Sequence, residues 1–114
     1  MRTTRYVASV AAALGLLSTS GAPAAAAGAP KPVTHTVTID GTSFEPGAIM
    51  VNAGDTIVWL NTDPFPHTVT AEGGGFDSGA ILPGKSWRYK PAKRGDFAYT
   101  CTYHPTMKAT VSVK

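Results

Sequence analysis

The sequence predicts an all-β fold, a two-sheet antiparallel Greek-key β-sandwich, on three observations. Short runs with apolar side chains at every second position recur along the chain, as in strands buried on one face. Between them stand clusters of Gly, Pro, Asn and Asp, the residues that tight turns require. Beyond the N-terminal region, no helical periodicity of useful length interrupts this rhythm.

The elements follow in order. Arg2 and Arg5 precede an uncharged apolar stretch, Val7 to Leu17, and small residues around Ala24 and Ala27 offer cleavage sites, so residues 1–27 read as a cleaved secretory signal peptide. The apolar run is shorter than the ~20 residues a membrane-spanning helix needs. The mature chain is expected to be exported, to a periplasmic or an extracellular or cell-envelope location. Residues 28–32 are small and proline-rich and read as a flexible lead-in. Residues 33–114 form the single folded domain.

Within that domain the first strand starts at Val33, where Val33, His35, Val37 and Ile39 alternate with Thr34, Thr36 and Thr38. Gly41-Thr42-Ser43 ends it. Further strands are expected at 48–51, 56–61, 67–71, 86–90, 96–101 and 109–113, with turns at Asn52 to Asp55, Glu72 to Gly75, Leu82 to Gly84 and Lys93 to Asp96. Trp59 lies in the uninterrupted run Ile57-Val58-Trp59-Leu60, which reads as buried on both faces. Phe44, Ile49, Val51, Phe97 and Val111 read as further core side chains, and His35 as a partly buried strand residue.

Charge excludes some partners. With Arg2 and Arg5 set aside, eight basic residues face seven acidic ones, too even a balance for nucleic acid or an anionic membrane surface. Lys85, Arg88, Lys90, Lys93 and Arg94 cluster in sequence and read as a solvated strand face and turn.

The chain has one cysteine. A small exported domain often relies on disulfides, but one thiol cannot bridge within a chain and calls for another reason to be there. Cys101, His104 and Met107 stand at three-residue steps, and His67 follows the proline-rich turn Asp63-Pro64-Phe65-Pro66. A thiolate, two imidazoles and a weak thioether are the donor set that suits copper alternating between its cuprous and cupric states. Pro64 and Pro66 restrict the backbone just before His67.

On these residues, positions 33 to 114 resemble a cupredoxin, a small type 1 blue-copper protein. The spacing Cys101-x2-His104-x2-Met107, together with Pro66-His67 and His104-Pro105, is similar to amicyanin within the amicyanin, plastocyanin and pseudoazurin branch. The resemblance implies one copper ion with His67, Cys101 and His104 as equatorial ligands and Met107 as the axial one. It implies an electron carrier rather than an enzyme, with His104 as the exposed edge. A donor and an acceptor redox protein would dock briefly on a patch of Pro64, Phe65, Pro66 and Pro105, and the chain would act as a monomer.

Three residues, Thr68, Tyr103 and Thr106, depart from that pattern, and Pro105 adds a constraint of its own. Thr68 replaces the asparagine that many members use to tie the two ligand-bearing segments; its hydroxyl is expected to reach Thr102. Pro105 has no N–H, which leaves the Thr68 amide as donor to the Cys101 sulfur. Tyr103 and Thr106 replace a proline and a phenylalanine of the amicyanin loop. Two other readings remain: a copper carrier that delivers metal without redox turnover, and, ranked last, thiol catalysis by Cys101, which leaves Met107 unexplained.

Overall fold

The computed structural model describes Gly15 and residues 31–114; the signal peptide and most of the lead-in lie outside the described residues. Eight strands follow in order: β1 (Thr34–Asp40), β2 (Ser43–Glu45), β3 (Ala48–Val51), β4 (Thr56–Asn61), β5 (Thr70–Ala71), β6 (Ser86–Tyr89), β7 (Gly95–Cys101) and β8 (His104–Val113). No helix occurs among the described residues.

The strands form two four-stranded sheets, β2-β1-β4-β6 and β3-β8-β7-β5. The two-sheet sandwich is as expected, but each sheet is mixed, since β1 pairs with β4 and β3 with β8 in parallel. Parallel neighbours need a crossover rather than a hairpin. Here the chain supplies it by visiting the other strands first: β2 and β3 intervene between β1 and β4.

Alternation drives the burial. In β1, Val37 and Ile39 are fully buried while Thr36 faces solvent. In β4, Ile57, Trp59 and Asn61 point inward, but Val58 is only half-buried and Leu60 is exposed, so this strand is covered on one face and not on both. The register explains the difference. Val58 sits between Thr36 and Arg88, and Leu60 between Thr38 and Ser86, on the sheet's polar outer face.

The inward side chains meet around an aromatic centre. The Trp59 ring lies 5.4 Å from Trp87 and 5.6 Å from Tyr99, and Tyr99 packs edge-on against Phe44 at 4.7 Å. Trp59 belongs to one sheet and Tyr99 to the other, and the Trp59 indole Nε1 donates to the Tyr99 hydroxyl at 3.2 Å. That contact ties the sheets and satisfies a donor that would otherwise be buried unpaired. Burial pushes the Tyr99 phenol up to about 12, against a smaller lowering by the Trp59 hydrogen bond.

Three boundaries differ from the sequence reading. Ser43–Glu45 is a strand, pairing back on β1 across Gly41, whose φ of 59° is the left-handed conformation a tight turn requires. The stretch expected at 67–71 shrinks to Thr70–Ala71, because His67 and Val69 take their partners from Ile81 and Ser78 instead of a continuous ladder. The last strand begins at His104 rather than 109. The β7–β8 hairpin closes tightly through Thr102 and Tyr103, with Cys101 opposite His104 and a register shift between Thr100 and Cys101.

Candidate metal centre

His67 is placed by a short irregular segment, and that segment is held by polar side chains. Its backbone exchanges two hydrogen bonds with Ile81, N–H to carbonyl at 3.1 Å and the reverse at 2.7 Å. Asn61, fully buried at the inward end of β4, donates from Nδ2 to the carbonyls of Phe65 (2.8 Å) and Ile81 (2.9 Å). Its Oδ1 accepts from the Asp63 amide at 2.9 Å. Asp63 in turn accepts from the amides of Gly41 and Phe65. The turn before His67 is therefore braced from inside.

Asp63 also reaches the histidine itself. Its Oδ2 lies 2.8 Å from His67 Nε2, and the His67 side chain is 1% exposed. The hydrogen bond with His67, more than any other contact, holds the Asp63 carboxyl below the ordinary 3.8. A carboxylate accepts only, so Nε2 carries the proton and Nδ1 keeps a free lone pair.

That lone pair faces sulfur. His67 Nδ1 and Cys101 Sγ are 3.7 Å apart in the buried interior. Two donors at roughly 2.0 and 2.3 Å from a shared ion, at about 120° to each other, stand close to this separation. The Thr68 amide donates to Cys101 Sγ at 3.3 Å, and Pro105 offers no N–H to the sulfur. Thr68 Oγ1 accepts the Thr102 amide at 2.8 Å and lies 3.1 Å from the Thr102 hydroxyl, so it ties the two segments directly.

The His104 ring lies with its centroid 5.2 Å from that of His67 and is half-buried. Met107 is 1% exposed and shares the inward face of β8 with Ala109 and Val111. Among the described residues, no three His, Cys, Asp or Glu side chains are drawn together as a ready-made metal cage. Of the expected donors, the structure brings His67 Nδ1 to Cys101 Sγ, sets the His104 ring beside that of His67, and places Met107 in the same buried core as Cys101.

Beside His104, Phe65, Pro66 and Tyr103 line a shallow apolar recess of about 360 Å³. Phe65 is 65% exposed and Tyr103 52%. Pro64 and Pro105 are exposed but do not line it. The sequence reading missed Tyr103 here, as it missed Asn61 and Asp63. Asn61 had a legible signal, a polar residue in the inward slot after Ile57 and Trp59, and so did Asp63, an acid four residues before a histidine. His35 lies outside this group; its Nε2 pairs with Asp55 Oδ2 at 2.9 Å.

The family description "Cupredoxin-like domain" matches residues 8–113. No curated protein sequence matches. Among solved structures, a purple cupredoxin from Nitrosopumilus maritimus is similar at 22% identity and a TM-score of 0.65, over 70% of this chain and 99% of that one. A Cu(I) methionine-to-alanine variant of amicyanin is similar at 26% identity and a TM-score of 0.66, over 71% of this chain and 82% of that one. A Cu-containing nitrite reductase from Thermus scotoductus is similar at 26% identity and a TM-score of 0.68, over 75% of this chain but 23% of that one.

Proposed function

The chain belongs to the cupredoxin-like family, and on that premise we propose that it carries single electrons between redox partners through one type 1 copper ion held by His67, Cys101, His104 and Met107. The observation that carries this reading is the buried pair of His67 Nδ1 and Cys101 Sγ, 3.7 Å apart, with each donor prepared from behind. Bound there, copper supplies the one-electron couple between its cuprous and cupric states.

The protein's own groups do the rest. Asp63 keeps the His67 proton on Nε2 and orients the ring. The Thr68 amide stabilises negative charge on the Cys101 sulfur. Burial of His67, Cys101 and Met107 at 1% exposure or less keeps water from the donors. Half-buried His104 is the edge through which electrons pass, and Phe65, Pro66 and Tyr103 form an apolar rim for brief docking.

We read the chain as a carrier and not an enzyme; its similarity to the nitrite reductase spans 23% of that protein. The alternative, metal delivery without redox turnover, uses the same donors. Export rests on the leader at residues 1–27, and the monomeric state on the sequence reading.

Titration with cupric ion, followed by absorption and voltammetry, tests the proposal. An intense blue thiolate band and reversible one-electron cycling are expected, with the band abolished in Cys101→Ser. A colourless cuprous complex that does not cycle would favour delivery, and an unchanged band in Cys101→Ser would remove the sulfur from the site.

A further inference from the structure

Thr68 Oγ1 does more than meet Thr102. It lies 3.1 Å from Thr70 Oγ1, and the Thr70 hydroxyl donates to Asp77 Oδ1 at 3.0 Å. Asp77 Oδ1 also accepts the Gly79 amide at 3.0 Å, and residues 70 and 77 form an isolated β-bridge. A line of hydroxyls thus runs from the hairpin that bears Cys101 to an exposed carboxylate on the loop between β5 and β6.

Proton counting gives this line a direction. A threonine hydroxyl has one proton and two lone pairs, and an ionised carboxylate only accepts. Thr70 gives its proton to Asp77 and so can only accept from Thr68. Thr68 then gives its proton to Thr70, which leaves both of its lone pairs for Thr102, one for the amide at 2.8 Å and one for the hydroxyl at 3.1 Å. The opposite choice, Thr68 donating to Thr102, would set two oxygen lone pairs against each other at 3.1 Å between Thr68 and Thr70.

We infer that Thr70 and Asp77 are positioning residues for the copper site, acting through Thr68: by drawing the hydroxyl protons outward they leave Thr68 facing Thr102 with lone pairs alone, so that it clasps the Thr102 backbone and keeps the Thr68 amide on the Cys101 sulfur. The part that concerns copper rests on the proposed function; the clasp itself does not. Thr68 thereby joins the two ligand-bearing segments although its side chain is shorter than an asparagine, because its oxygen is oriented by a chain of partners.

The test uses three variants of the full chain. Thr70→Val removes the hydroxyl without changing charge or shape, Asp77→Ala removes the terminal acceptor at an exposed position, and Thr70→Ser restores the hydroxyl. In the copper-free protein, NMR amide exchange at Thr102 should quicken about threefold to tenfold in Thr70→Val and in Asp77→Ala, and return to the parent rate in Thr70→Ser. In the copper-loaded protein, Thr70→Val should lower the reduction potential, since a weaker N–H contact stabilises the electron-rich reduced sulfur less. Thr70→Ser should restore it. Unchanged Thr102 exchange in both Thr70→Val and Asp77→Ala overturns the clasp, and an unchanged or raised potential in Thr70→Val overturns its role at copper. Should Thr70→Val fail to fold, exchange in Asp77→Ala decides the matter. A parent protein that forms no blue complex sinks the electron-carrier reading while the exchange data still judge the clasp.

Discussion

Replacing Asn61 with leucine separates the brace behind His67 from simple space filling. The two side chains are close in size, but leucine can neither donate to Phe65 and Ile81 nor accept from Asp63. The Ile81 carbonyl keeps the His67 amide as a partner at 3.1 Å, so its loss is partial. The Phe65 carbonyl and the Asp63 amide lose the Asn61 contacts at 2.8 and 2.9 Å, both in partly buried surroundings. An unpaired group of this kind costs about 1–2 kcal/mol, which puts Asn61→Leu at roughly 2–4 kcal/mol of lost stability. For a domain of this size each kcal/mol moves the midpoint by roughly 4–8 °C, so a fall of roughly 8–30 °C is expected. Thermal unfolding of the copper-free protein by circular dichroism measures it. Asn61→Asp adds a directional check. Its carboxylate faces two carbonyls and is held up in pKa, so the variant should be least stable at neutral pH and recover as acid protonates it and returns one donor. A midpoint drop below about 4 °C in Asn61→Leu, or no recovery of Asn61→Asp in acid, would refute the brace.

Asp63→Asn should raise the reduction potential and weaken copper about 10-fold to 100-fold, because a neutral partner at His67 Nε2 leaves a less basic Nδ1; voltammetry showing no rise would count against it. Met107→Leu should keep the blue band while raising the potential, since loss of axial donation disfavours the cupric ion, and complete loss of copper would contradict the axial role. Acid stability should depend on Asp55, whose carboxyl is lowered from 3.8 to about 2 by the Val33 amide first, then by His35 and the Asn52 amide. A depressed carboxyl stabilises the fold fully above its ordinary value, so this contribution should drain away between pH 3.8 and about 2 and be missing in Asp55→Asn. Identical acid unfolding curves for the two proteins would discount the pair.

The sandwich was legible because inward residues such as Val37 and Ile39 alternate with threonines, and the candidate donors stood out because a thiol, two imidazoles and a thioether are rare company. What stayed hidden depends on contacts distant in sequence. β2 is only three residues, too short for periodicity to register. The run at Ile57 to Leu60 reads as wholly apolar, and only the register beside Thr38 and Ser86 shows Leu60 facing water. Residues 67–69 carry strand-like composition, yet Val69 bonds to the Ser78 hydroxyl, an arrangement no local pattern announces. Asn61, Asp55 and Asp63 share one mark: each is a polar residue with little exposure beside a turn, and each bonds to a backbone group about twenty residues away, at Ile81, Val33 and Gly41 respectively, as well as to a local amide.

β8 follows every other strand in the chain, yet it occupies an interior place in its sheet, between β3 and β7. It carries His104 and Met107, and its far end pairs with both Val51 and Gly95. A chain still leaving the ribosome therefore has Cys101 without its neighbours and a sheet split into two unjoined halves. On the proposed donor set, His104 and Met107 join Cys101 only once β8 is in place, so copper capture would belong to the folded domain, and a chain that met the metal before then would present it with an isolated thiol and a distant imidazole.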